Sequence, residues 1–332
     1  MPINANQVQF FKARVNDDTP ENGGLISTDL IADGVKNNIF PDASKNERLN
    51  GSTKYRKVFL GLRNPDNTPA IEVKLFVLRP TQANDAVVMV EADYNNTQDD
   101  IDEFDRRWGA GQLVSAVNVG DTSITVTPEQ AIYQVFQVDD TIAITIRSDA
   151  EPSAPVDFYK IVAVTDSGSN KVLTINRGLD NAMPAGAVVS SCVFLDQLAT
   201  QLYDYQFELS GGGSVFNFNQ VYANNAGAIN DAWVLVFTST TQFTLYSESG
   251  GQASPVANGN ISSDFSPLNP VNNQPYFTIP ASAFSGAFQA GDMCGFRTLA
   301  PNHPIFLERI IPAGTDYAAG NSVILAVELE SA

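Results

Sequence analysis

Hydrophobic positions along this chain recur mostly with period two, the spacing of strands that turn one face inward. Residues 55–63 alternate, with Val58, Leu60 and Leu62 on one side, and residues 70–78 place Ile71, Val73, Leu75 and Val77 on one face. Asn64-Pro65-Asp66-Asn67 reads as a turn between them, so the two runs predict a hairpin. Residues 86–92 predict a third strand. Upstream, Asn22-Gly23-Gly24 reads as a turn and Ser27-Thr28-Asp29 offers caps for a short segment ending near Asn37-Asn38. Phe40-Pro41-Asp42 breaks the chain, and residues 44–48 predict one helical turn. The run Asp99-Asp100-Ile101-Asp102-Glu103-Phe104-Asp105-Arg106-Arg107-Trp108 is acidic at its start and basic at its end, which suits a short linker helix. A calcium loop would need the EF-hand order of acids, glycine and a final glutamate, which is absent.

Residues 110–196 carry five or six short β-rich runs, at 123–127, 140–146, 159–164, 172–175 and 187–193, separated by turns at 120–121, 149–155, 166–170 and 181–186. That rhythm predicts a small antiparallel barrel or sandwich. Residues 197–332 predict strands at 206–209, 233–238, 242–246, 275–279, 292–298, 305–310 and 323–327, with a triple-glycine turn at Gly211-Gly212-Gly213 and a long polar loop over 253–273. The expectation is therefore a mainly β protein of two or three antiparallel sandwich or barrel domains. Their divisions are 1–109, 110–196 (a candidate insertion) and 197–332. Phe136-Gln137-Val138-Asp139-Asp140 is echoed by Phe288-Gln289-Ala290-Gly291-Asp292, and Pro184-Ala185-Gly186 by Pro312-Ala313-Gly314. Similar turns starting similar strands explain such short matches as well as an internal repeat does.

Composition narrows the function. The 332 residues are 43% hydrophobic and only 17% charged, with two cysteines, which excludes both an acidic disordered tail and a disulfide scaffold. The net charge of −18 repels phosphate, so nucleic acid and anionic membrane are not the expected partners. No window approaches the length of an apolar membrane helix, and the N-terminus lacks a signal-peptide pattern, so synthesis in a cytoplasm is expected. Residues 1–110 hold 13 Lys+Arg against 17 Asp+Glu, a net of −4, and the remainder holds 6 against 20, a net of −14. Between Arg177 and Arg297 there is no Lys or Arg. A surface that packs against copies of itself relies on amide and hydroxyl hydrogen bonds instead, so this bias points to an assembly subunit.

Candidate chemistry is thin, and no cofactor or enzymatic activity is expected. The single histidine, His303, next to Pro304, reads as a loop residue, and one His excludes a His₂ or His₃ metal site within the chain. Cys192 and Cys294 lie in apolar strand-like runs, where a free cysteine acts as a small hydrophobe. Gly211-Gly212-Gly213-Ser214 lacks the lysine of a phosphate loop. Sequence spacing carries no information about a carboxylate pair for glycoside hydrolysis among 37 acids. Tyr203, Tyr205, Phe216, Phe218 and Tyr222 stand among polar residues; they suit core or interface positions first and sugar stacking second.

Several blocks carry a family resemblance. They are Asn22-Gly23-Gly24-Leu25-Ile26-Ser27, Gly34-Val35-Lys36-Asn37-Asn38-Ile39-Phe40-Pro41-Asp42, Glu47-Arg48-Leu49-Asn50-Gly51-Ser52 and Tyr55-Arg56-Lys57-Val58-Phe59, with Phe277-Thr278-Ile279-Pro280, Gly291-Asp292, Phe296-Arg297-Thr298, Pro304-Ile305-Phe306 and Ile311-Pro312-Ala313-Gly314 near the C-terminus. Leu173-Thr174-Ile175-Asn176-Arg177-Gly178-Leu179 adds a turn-and-strand pattern. Together they resemble a virion structural protein of tailed bacteriophages. The resemblance implies a non-enzymatic, multicopy subunit of the neck, collar, tail or baseplate. Its partners would be copies of itself (a trimer, hexamer or dodecamer) and other virion proteins. It supplies no catalytic residue. Tyr55, Arg56 and Lys57 form the most basic patch, and with Phe216, Phe218 and Tyr222 they are the expected subunit-interface residues. The alternative is a tail appendage that binds a host receptor or carbohydrate.

Overall fold

The computed structural model describes residues 2–148, 151–195, 197–210, 213–251 and 254–332. Asp149, Ala150, Asp196, Gly211, Gly212 and Ala253, which the turn, boundary and loop expectations include, lie outside the described residues. The expected class is what the chain forms: antiparallel sheets, one closed barrel and few helical turns.

The alternating runs form their strands but choose other partners. Ser52–Leu62 lies between Val8–Val15 and Asn302–Ile311, whereas Ala70–Arg79 lies between Val193–Leu195 and Ile324–Ser331. The expected hairpin is therefore not formed. The connection is a corner held by buried Asn64, which donates to Asp66 Oδ1 (2.6 Å) and the Thr68 carbonyl (2.8 Å). The corner carries the chain into a second layer, so Val58, Leu60 and Leu62 pack against Val73, Leu75 and Val77 across a sandwich. Glu72, at φ 50°, accompanies a register shift in the second strand, so Ala70 and Val73 face the core and Ile71 does not.

Sequence order also misleads about the ends of the units. Asn302–Ile311 and Ile324–Ser331 fall within 197–332, yet they pair into the two sheets of the first unit. The larger sheet runs Gly23–Ile31, Val8–Val15, Ser52–Leu62, Asn302–Ile311, Ala86–Glu91 and Arg107–Trp108. This composite sandwich thus closes with both chain ends, and the other modules are insertions. The first is a closed barrel ordered Val156–Ser167, Asn170–Ile175, Ser123–Pro128, Ala110–Leu113, Val188–Ser191 and Thr141–Thr145. Its core holds Ile124, Val126, Ile142, Ile144, Ile161, Leu173 and Val189. The second, the distal module, has a sheet ordered Gln201–Glu208, Met293–Leu299, Asp231–Phe237, Gln242–Ser247 and Ala257–Asn260, backed by short two-stranded pieces. Trp233, Phe237, Phe243, Phe277, Phe284, Phe288 and Phe296 fill its core.

Local signals resolve unevenly. Ser44 and Glu47 form a capping box that starts the helix Lys45–Asn50, as the expected helical turn requires. Ser27-Thr28-Asp29 caps nothing; it lies inside the strand Gly23–Ile31. The helical segment expected over 99–108 is reduced to one 3₁₀ turn, Gln98–Asp100, because the Asp102 and Asp105 carboxylates bind nearby backbone N–H groups and Arg107 enters a strand. The two echoed motifs are one turn used twice. Asp140 accepts from the Gln137 N–H and Asp292 from the Gln289 N–H (2.7 and 2.9 Å), each after a left-handed residue, Asp139 or Gly291. Asn118 and Asp121 repeat the arrangement around Gly120. Similar turns starting similar strands therefore account for the echo.

Candidate interaction surface

The distal sheet ends on Gln201–Glu208, whose outer edge has no paired strand among the described residues. A bulge between Tyr203 and Gln206 inserts one residue, with Asp204 at φ 51°. Without the bulge, Tyr203, Tyr205 and Phe207 would share a face. With it, Tyr203 stands opposite Arg297 on the exposed face, and Phe207 stands opposite buried Cys294. Arg297 Nε holds Asp204 at 3.0 Å and so braces the bulge from outside.

The inner face of this strand continues the aromatic core into solvent. Phe277 meets Phe296 at 4.9 Å, Phe296 meets Phe218 at 5.5 Å, Phe218 stacks on Tyr205 at 4.6 Å, and Tyr205 stacks on Phe207 at 5.9 Å. The chain of rings begins fully buried and ends with Phe207, which is 56% exposed. Tyr203 is exposed on the strand's other face, and Tyr222 is exposed on a short strand beside it. An aromatic series that leaves its own core uncovered is the composition of an interface centre.

The expected interface residues divide accordingly. Phe218 belongs to the ring series, and Tyr222 is exposed beside the same module. Phe216 is spent inside, 6% exposed and stacked on Phe284 at 5.2 Å. Tyr55, Arg56 and Lys57 have partners within the chain. Lys57 Nζ donates to the carbonyls of Asp93, Tyr94 and Asn96 and to Asn96 Oδ1, at 2.6–3.1 Å, and burial pulls its ammonium down to about 8. Arg56 pairs with Asp18 at 2.7 Å, and the Tyr55 hydroxyl donates to Glu308 at 3.3 Å. Sequence spacing does not single out Phe207 or Glu308. The first extends an alternation broken by the bulge, and the second is one acid in an apolar strand.

Both cysteines are free and buried, and burial pushes each thiol up to about 12. His303 lies in a strand opposite Leu60 rather than in a loop. No group of three or more His, Cys, Asp or Glu side chains able to hold a metal comes together among the described residues. No helix among them is long and apolar enough to cross a membrane.

One carboxyl is strongly displaced. Glu129 lies in a cleft between the barrel and the sandwich, and burial, with Asp85 adding repulsion, pushes it up to about 8 from 4.5. The folded state therefore keeps a proton that the unfolded chain has lost, so stability falls as pH rises through that window. Glu129→Gln is expected to exceed the wild type by on the order of 1–2 kcal/mol near pH 9 and to match it near pH 4. Denaturant midpoints at both pH values check this, and a difference that does not change with pH would dismiss it.

Set beside known proteins, the chain matches no family model, no curated protein and no solved structure.

Proposed function

We propose that this chain is a non-enzymatic structural subunit of a tailed phage particle, at the neck, collar, tail or baseplate, and that it assembles as a symmetric oligomer through faces of its β modules. The particle type rests on the sequence resemblance. The assembly rests on one observation: the ring series from Phe277 to Phe207 runs from a closed core to an uncovered edge strand. Large exposed aromatics cost solubility in a lone chain and contribute most of the energy when covered. The occupant is a second copy, in keeping with the dearth of charge here: the distal sequence from 201 to 299 carries six acids and a single base, Arg297. Beside the rings the charges are Asp204 and Glu208 on the edge strand and Arg297 paired to Asp204, so little like-charge repulsion opposes a second copy.

Sedimentation velocity over a concentration series tests this. The wild type is expected to form a defined oligomer, and Phe207→Asp to shift it toward monomer by about tenfold or more in association constant. A strict monomer at every concentration sinks the reading. Binding of a glycan by the monomer, abolished in the same variant, would instead favour the receptor-binding alternative.

A further inference from the structure

A second protrusion and a cleft lie elsewhere on the molecule. We infer that the loop carrying Phe104 in one copy seats in the cleft between barrel and sandwich of a second copy. This rests on the assembly reading above and adds to it a head-to-tail contact.

Phe104 is the most exposed of the large hydrophobic side chains, at 86%. Its loop is nonetheless fixed. The Asp102 carboxylate accepts the Phe104 N–H at 2.8 Å, and the Asp105 carboxylate accepts the Asp102 N–H at 2.7 Å. Arg107 donates to the carbonyls of Asp102 and Asp105, both at 2.6 Å, and is itself anchored on buried Glu308. A side chain presented this way loses little conformational freedom when it docks.

The cleft encloses about 670 Å³, with Pro80, Ile146 and Pro184 among its apolar walls. Its ionisable lining is Arg79, Arg147 and Glu129, of which Arg79 is already engaged within the chain. Arg147 donates Nε to the Ala154 carbonyl at 2.9 Å, which orients the guanidinium, and no carboxylate among the described residues pairs with it. Glu129, pushed up to about 8, adds little negative charge at neutral pH. Asp85, at the margin, is spent on Arg309 and Asn321. Phe104, by contrast, is flanked by Asp99, Asp100, Asp102, Glu103 and Asp105, all exposed. An acidic aromatic knob and a cleft that carries Arg147 are complementary in charge.

Glu308 and Arg309 are neighbours on one strand and point to opposite faces. Glu308 anchors the knob through Arg107, and Arg309 holds Asp85 beside the cleft. Knob and cleft are thus unlike surfaces, built from different elements of the chain. A contact between unlike faces repeats from copy to copy and closes into a ring when the rotation permits.

Phe104→Ala and Arg147→Glu, each checked for an unchanged melting temperature, are compared with the wild type by sedimentation velocity. Each is expected to weaken association about tenfold or more. Mixed together, they are expected to form a limited hetero-oligomer, because one retains an intact cleft and the other an intact knob. Association unchanged in either variant overturns the knob-in-cleft contact while leaving assembly standing. Weakening by Phe104→Ala alone overturns it as well, since the knob would then seat on some other surface. A wild type that never associates overturns the assembly reading itself.

Discussion

Replacing Glu308 with alanine is expected to destabilise the fold by about 3–5 kcal/mol, the cost of stranding a buried charge. Glu308 is 1% exposed, in the centre of the strand Asn302–Ile311. Its carboxylate accepts from Arg107 Nε at 3.2 Å, the Tyr133 hydroxyl at 2.8 Å and the Tyr55 hydroxyl at 3.3 Å. Tyr133 comes from the barrel insertion, and Tyr55 and Arg107 come from the sandwich, so one carboxylate ties the two modules. Its removal leaves the Arg107 guanidinium buried over the Tyr133 ring, 4.5 Å from its centroid, with only backbone carbonyls to answer its charge. Urea denaturation measures the loss. The paired change Arg107→Met with Glu308→Leu is expected to recover most of it, because an apolar pair of similar volume avoids the desolvation of both ions. A loss under about 1 kcal/mol in Glu308→Ala would mean that water already reaches the pair and that the modules are tied elsewhere.

Trp233→Ala is expected to be as damaging, about 3–5 kcal/mol, but in a different place. Trp233 is fully enclosed, with its indole N–H donated to Thr298 Oγ1 at 2.8 Å and its rings against Tyr276 and Phe277 at 4.8 and 5.2 Å. The aromatic core around it shares no residue with the sandwich core. The cavity should therefore loosen the distal module first, seen as proteolytic cleavage confined to residues 201–299 while the barrel and sandwich persist. Trp233→Phe, which leaves Trp108 as the sole tryptophan, is expected to retain most of the stability. Simultaneous loss of all three modules in Trp233→Ala would show that the distal core supports the rest, contrary to this separation.

Much of the secondary structure is legible along the chain. Val58, Leu60 and Leu62 alternate because their strand buries one face in the sandwich core, although Phe59 between them is buried in a smaller cluster on the other face. Ser44 and Glu47 announce their helix by a reciprocal cap, and Asp140 and Asp292 announce strand starts by the same turn. Partner choice is not legible, because a strand has two hydrogen-bonding edges and alternation describes only its faces. Thus 52–62 and 70–79 look like a hairpin and are facing layers instead. The candidate surface was half visible. Aromatics over 203–222 mark the region, but the bulge at Asp204 decides which rings face the core and which face out.

Charge follows the same division. Sequence shows Arg56 and Lys57 as a basic patch, since it counts charges without their surroundings. Lys57 is buried because carbonyls 36–39 residues away converge on its ammonium. By itself, then, the sequence determined the β class, five of the barrel's six strands and most of the turns between them, all of which depend on contacts and spacings within a few residues. Tertiary structure alone decided that the last strands close the first sandwich, that Glu308 joins two modules, and that Phe104 and Phe207 remain uncovered. Those outcomes depend on groups far apart in the chain, whose meeting no local pattern encodes.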